Sequence, residues 1–88
     1  MQKVDTTKGF TPVKKIDADG GGIYNIKKHT SYRIVVSVAD VNIALSEDRA
    51  VFGPLDIKLP VGVHFIHTDH FRFMKADTPA NMNVIEIK

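Results

Sequence analysis

The chain contains no cysteine. It therefore has no disulfide framework, no thiolate metal site and no thiol nucleophile, and its stability must come from packing or from partners. No apolar run approaches the ~20 residues that a membrane helix requires, and residues 1–15 are polar and mixed in charge, unlike a signal peptide. We therefore expect a protein with no membrane partner that is made in a cytosol and stays there unless it is carried elsewhere as part of a particle.

An excess of charge of one sign is also lacking. Twelve Lys and Arg residues against ten Asp and Glu residues leave a formal net charge of +2, whereas a nucleic-acid-binding domain usually carries a concentrated basic face. Six lysines fall within residues 1–30, but three aspartates interrupt them. The pattern favours a solvated surface over a contact with a polyanion. We expect no specific nucleic acid among the partners.

The length allows one small domain, because 88 residues cannot build two cores. Apolar residues make up 43% and charged residues 25% of the chain, which is typical of a globular protein and excludes wholesale disorder. Residues 1–9 carry a single β-branched aliphatic residue, Val4, and are predicted to form an N-terminal arm. Residues 10–88 are predicted to form a single β domain.

Apolar and polar side chains alternate along several short segments, which is typical of strands with one buried side. The clearest segments are residues 32–38, 41–45, 55–59, 63–65, 71–73 and 83–87, and residues 10–16 and 23–26 are weaker candidates. One face of the first segment would hold Tyr32, Ile34, Val36 and Val38. The chain is thus predicted to form about seven or eight short strands.

Turn residues separate these segments at intervals of roughly ten residues, the spacing expected for a β-sandwich or barrel. They lie at residues 17–22, 53–54, 59–62, 68–69 and 78–81. No window shows a sustained helical period, and the spacers are too short for the crossovers that parallel strands need. We predict an all-β fold, a small antiparallel β-sandwich or jelly-roll-like barrel.

The phenylalanines are the largest apolar side chains in the sequence. We predict that they anchor the core or an interface, because aromatic side chains bury the most apolar area. They are Phe10, Phe52, Phe65, Phe71 and Phe73. Parity suggests that Val63 and Phe65 are buried and that the polar residues between and beyond them are exposed.

Three histidines within seven residues, His64, His67 and His70, are the most conspicuous polar group. Imidazole is the commonest protein ligand for zinc, but in a strand His64 and His67 point to opposite faces. If Thr68 and Asp69 formed a hairpin turn, His67 and His70 would approach each other. The pattern favours exposed polar positions, and neither a metal nor a cofactor is predicted; the three histidines remain weak metal candidates.

No residue is predicted to be catalytic. The three serines, Ser31, Ser37 and Ser46, do not lie in a nucleophile-elbow sequence, and a Ser-His-Asp set can be drawn on paper in almost any chain of this composition. The residues alone indicate a small β domain that is not an enzyme. A sugar-binding or metal-binding module on the same scaffold is the alternative. Its distinguishing feature would be the group of three histidines.

From residue 32 onward the sequence resembles small virion proteins of tailed bacteriophages. The resemblance rests on short β motifs: residues 32–36 (YRIVV), 39–44 (ADVNIA), 59–63 (LPVGV) and 83–87 (NVIEI). It implies a noncatalytic structural protein, similar to capsid decoration or cement proteins, that stabilises the particle by binding the major capsid protein. A head-tail or tail accessory protein of the virion is the alternative that the same resemblance implies.

Homo-oligomerisation is a physical expectation for so small a sandwich. A chain of this size buries only about two thirds of its unfolded surface, so an isolated copy has little net stability. Its edge strands also leave backbone amides and carbonyls unpaired. We expect a homo-oligomer. The resemblance to virion proteins implies further that a trimer is favoured and that the oligomer is located in the virion, with the major capsid protein and other virion proteins as partners.

Overall fold

The structure is a computed structural model that describes residues 12–87. This range holds eight β-strands, which confirms the predicted all-β fold. The strands are β1 Pro12–Ile16, β2 Ile23–Asn25, β3 Thr30–Val36, β4 Val41–Ser46, β5 Ile57–Leu59, β6 Gly62–Thr68, β7 Phe73–Ala76 and β8 Met82–Ile87, with a 3-10 turn at Pro79–Asn81. The predicted arm, residues 1–9, and Phe10 lie outside the described residues.

The eight strands form two antiparallel sheets of four. Sheet A has the order β1-β8-β3-β6 and sheet B the order β2-β7-β4-β5. β1 pairs with β8, β2 with β7, β3 with β6 and β4 with β5, so the two halves of the chain form one long ribbon that folds over on itself. This is the arrangement of a jelly roll, two interleaved sheets of antiparallel strands.

The core lies between the two sheets and is aliphatic for the most part. Tyr32, Ile34 and Val36 of β3 are buried together, as their alternation predicts, and Val41 and Ile43 of β4 face them from sheet B. The other buried members are Tyr24, Ile26, Leu59, Met74, Ala76, Met82 and Val84. The described core contains no phenylalanine.

The sequence analysis predicted that Val63 and Phe65 of β6 are buried, but the opposite side of this strand faces the core. Ile66 lies directly opposite Tyr32 in the register of β3 and β6, and side chains that are directly opposite point to the same side of a sheet. Ile66 consequently packs against the core. Val63 and Phe65 point to the outer face, where they are 56% and 49% exposed.

The four phenylalanines within residues 12–87 do not have the core role that we predicted for them. Phe65 and Phe71 are exposed, and Phe52 and Phe73 are only half-buried. The Phe52 ring lies 5.9 Å from the Lys75 ammonium group, a cation-π contact on the outer side of sheet B. The proposed interface role of the phenylalanines stays a prediction.

The loop between β1 and β2 depends on one glycine and one aspartate. Gly22 has φ +77°, and a Cβ there would lie 2.8 Å from the Ala76 carbonyl oxygen, so the position requires glycine. The Asp19 carboxylate accepts hydrogen bonds from the amides of Gly21 and Ile23 at 2.8 and 3.1 Å. It also pairs with Arg49. This acidic loop is thus held by its own backbone.

The alternation predicts that Val38 shares the buried face of β3, and this prediction is wrong. The strand ends at Val36, and Val38 is 88% exposed with φ +75°. This left-handed conformation is unfavourable for a β-branched side chain, and it costs on the order of 1–3 kcal/mol. Because the Val38 side chain is exposed, its packing does little to offset this backbone strain.

Replacing Ile34 should be costly. We expect Ile34→Ala to lower the free energy of unfolding by about 2–5 kcal/mol, because it leaves a cavity in a fully buried position. Ile57→Ala, which removes the same atoms from an exposed site on β5, should cost less than about 1 kcal/mol. Urea unfolding followed by circular dichroism measures both. Equal losses in the two variants would contradict the assignment of the core.

Replacing Val38 should stabilise the protein. We expect Val38→Gly to raise the free energy of unfolding by about 1 kcal/mol, because glycine adopts positive φ without strain. Val51→Gly, at another exposed valine that is not at positive φ, serves as the control and should be neutral or destabilising. Thermal unfolding measures the difference. A lower Tm for Val38→Gly would contradict the strained conformation.

Candidate functional site

The most exposed apolar surface of sheet A lies at its β6 edge. Val61, in the turn before β6, is 54% exposed, and Val63 and Phe65 follow it on the outer side of the strand. We call these three residues the β6 face. Val35 of β3 lies directly opposite Val63 and is half-buried. Exposed apolar groups that lie close together on a soluble protein commonly mark a site of interaction.

A single arginine lies beside the β6 face. Arg33 of β3 has Phe65 opposite it on one side and Ile85 of β8 on the other. Its Nε is buried and has no hydrogen-bond partner within residues 12–87. Guanidinium groups form strong paired hydrogen bonds with carboxylates. The outer side of sheet A therefore combines apolar side chains with a guanidinium group, whose N–H groups are hydrogen-bond donors.

A polar cluster lies at the far end of β6, where the pairing of β3 with β6 begins. Ser31 is directly opposite His67 in the register, and Ser31 Oγ lies 2.9 Å from His67 Nδ1. His67 Nε2 lies 2.9 Å from Asp69 Oδ1, and His29 Nδ1 lies 3.3 Å from the same oxygen. We call these four residues the histidine cluster.

Protonation in the histidine cluster follows from its geometry. A carboxylate only accepts hydrogen bonds, so His67 Nε2 carries a proton and donates it to Asp69. In the neutral imidazole, Nδ1 then accepts a hydrogen bond from the Ser31 hydroxyl. The hydrogen bonds from His67 and then His29, followed by the charges of these imidazoles, lower the pKa of Asp69.

The chemistry available to the cluster is hydrogen bonding and proton exchange at the surface. A serine, a histidine and an aspartate are joined in a chain, the constellation that a nucleophilic hydrolase uses. Here, however, the His67 and Asp69 side chains are both more than half exposed, and the shielding from water that strengthens charge interactions is weak. The hydrogen bonds of the cluster link the start of β3 to the end of β6.

The three histidines that we singled out in the sequence do not meet. His64 Nε2 is 2.6 Å from the Pro60 carbonyl oxygen, in the turn that enters β6. His67 belongs to the histidine cluster, and His70 lies exposed between β6 and β7. These two strands belong to different sheets, so the expected hairpin at Thr68 and Asp69 is wrong.

The partner that the sequence did not reveal is His29. It lies about forty positions from Asp69 and reaches it because Thr30 and Thr68 are paired. The signal for this contact was the strand register, not the local spacing of histidines. In residues 12–87, no group of three histidine, cysteine or acidic side chains is arranged to hold a metal ion.

Lys27 joins the histidine end of the sandwich to the core. Its amide donates to the Tyr32 hydroxyl at 2.7 Å, and its carbonyl accepts from the buried Thr68 hydroxyl at 2.6 Å. Its Nζ lies 3.2 Å from Glu86 Oε1, an ion pair without hydrogen-bond geometry. Burial raises the pKa of Tyr32, the Lys27 amide opposes that rise, and Glu86 adds to it. One loop residue therefore contacts β3, β6 and β8.

Comparisons with known proteins give no relative to which the site could be assigned: no family model, no curated protein and no solved structure matches the chain. In the part of the chain that the structure describes, no helix has the length and apolar character needed to cross a membrane.

The histidine cluster should make stability depend on pH in the acid range. Because the pKa of Asp69 is lower in the folded chain than the value of about 3.9 expected when unfolded, its carboxylate stabilises the fold above that value. The contribution is lost as pH falls through the folded pKa. We expect Asp69→Asn to be less stable than the parent protein at pH 7, and the difference to shrink below about pH 4.

Urea unfolding at a series of pH values between neutral and strongly acid measures this difference. Asp56→Asn removes an exposed carboxylate from the loop before β5 and is the matched control. A gap between the parent protein and Asp69→Asn that stayed constant down to the lowest pH would show that the hydrogen bonds to Asp69 do not stabilise the fold.

Proposed function

We propose that the protein is a noncatalytic structural protein of a phage particle, a capsid decoration or cement protein that binds the major capsid protein as a homo-oligomer. The sequence support is the resemblance of residues 32–36, 39–44, 59–63 and 83–87 to small virion proteins. On this proposal the protein acts through buried interface area and has no reacting group.

The observation that carries the proposal is the β6 face. Val61, Val63 and Phe65 are each about half exposed and follow one another along a sheet edge. Arg33 beside them has a buried Nε without a partner in the described chain. Apolar side chains beside an arginine suit a protein partner that supplies both apolar and acidic groups.

The fold supports the same class of function without deciding it. Jelly rolls build viral capsid domains, but they also build lectins and cupins, so the argument from fold is one of analogy. The same surface would serve a head-tail or tail accessory protein. The position of the protein on a particle separates these two roles within the virion.

Binding to capsid shells tests the proposal. We expect the purified protein to co-sediment with shells assembled from the major capsid protein of the same particle, to saturate at a fixed number of copies per shell, and to raise the temperature at which the shells open. The reason is that each copy adds interface area, and many copies act together.

Val61→Lys should weaken this binding about tenfold or more, because it places a charge in an apolar contact. Val51→Lys changes another exposed valine, in the loop between β4 and β5, and should bind as the parent protein does. A stable monomer that stays in the supernatant at saturating shell concentrations would contradict the proposal. Binding only to tails or to the portal end would transfer it to the accessory role.

A further inference from the structure

The four edges of the two sheets differ in how they are protected against pairing with another chain. An edge strand leaves a row of amides and carbonyls open, and natural proteins block it with short strands, prolines, bulges or charges. In the described strand orders, β1 and β6 are the edges of sheet A, and β2 and β5 are the edges of sheet B.

Three of the edges carry such protection. β1 contains Pro12, Lys14 and Lys15, and its register with β8 shifts between Pro12 and Lys14. β2 and β5 are only three residues long, and β5 carries Lys58. None of these three strands offers a long uncharged ladder to a partner.

β6 carries none of these devices. It is seven residues long and pairs in register with β3 along its whole length. Its sequence, GVHFIHT, contains no proline, no lysine or arginine and no acidic residue. Its outer side presents Val63 and Phe65, both about half exposed. Within residues 12–87, β3 is its one strand neighbour.

We propose that β6 is the surface through which two copies of this chain associate, by antiparallel pairing of β6 with β6 about a twofold axis. This names the contact for the homo-oligomer of the proposed function and in that respect rests on it, but the pairing requires no capsid. It would join two copies of sheet A into one continuous sheet of eight strands.

The register follows from the length of the strand. Full overlap of two seven-residue strands places Phe65 of one copy opposite Phe65 of the other, at the axis, and Val63 opposite His67. The pairs on the outer side are then aromatic with aromatic and aliphatic with imidazole, and no two formally charged side chains face each other. Aromatic cross-strand pairs are among the stabilising ones.

A second copy fits this edge better than an unrelated strand does, because the sequence of β6 is compatible with itself in that register. The Phe65 pair lies at the centre, where a contact is best shielded from water. The twofold arrangement gives a dimer and thereby differs from the trimer that the resemblance favours, so the symmetry of the oligomer decides between them.

The absence of cysteine makes the register directly testable. In the proposed dimer, the two Phe65→Cys side chains lie opposite each other, with Cβ atoms about 4.5–5.5 Å apart, and a disulfide should form under mild oxidation. The two Val63→Cys side chains would be offset by four residues, about 14 Å along the strands, which is too far to be bridged. The double variant Val63→Cys, His67→Cys should cross-link again.

Sedimentation equilibrium of the isolated full chain measures the association itself. We expect the parent protein to be a dimer, and Phe65→Lys to weaken dimerisation about tenfold or more, because two ammonium groups then face each other in place of two rings. Ile57→Lys puts the same charge on an exposed isoleucine of edge strand β5 and should leave the dimer intact. Circular dichroism establishes that both variants are folded.

Three results would overturn the inference: a parent protein that is monomeric or of threefold symmetry, a dimer that Phe65→Lys leaves unchanged, or cross-linking of Val63→Cys as efficient as that of Phe65→Cys. The proposed function fails separately, through the capsid sedimentation. A dimer that cross-links through position 65 yet does not bind shells would support the β6 contact and refute the role in the particle.

Discussion

The inward face of β3 is the constraint on which the rest of the sandwich depends. Tyr32, Ile34 and Val36 are at most 2% exposed, and β3 pairs with β6 on one side and with β8 on the other. Because opposite residues in a sheet point the same way, the orientation of β3 determines which residues of both neighbours enter the core. Val84 is buried and the partly buried Ile66 packs against the core for this reason, whereas Val63 and Phe65 are exposed.

The sequence predicted the fold class and the central strands because their alternation is unambiguous. In β3 one set of alternate residues is strongly apolar and the other is mixed, and the structure buries the apolar set. β4 follows the same pattern at Val41 and Ile43, although Ala44 on the opposite side is buried as well. In β6 both parities contain an apolar residue, Phe65 on one and Ile66 on the other. We predicted Phe65 in the core because its side chain is larger, but the register with β3 puts Ile66 on the side that packs against the core. That register is a long-range property, which local patterning does not contain.

The candidate site was less predictable than the fold, for the same reason. The local group of histidines drew attention to His64, His67 and His70, which the structure separates. The cluster that forms instead joins His67 and Asp69 to His29 and Ser31, from another part of the chain. Only the pairing of β3 with β6 brings these groups together. The β6 face was missed because Val63 and Phe65 were assigned to the core.

The place of β8 between β1 and β3 has a consequence for how the protein is made. β3 can pair with β6 before β8 is in place, but sheet A then has a gap at its centre until residues 82–87 pair with β3. Until then the side of β3 that later meets β8 offers a second open ladder. A newly made copy therefore has an open ladder within sheet A until β8 is added, and an open ladder of this kind can pair with a neighbouring chain.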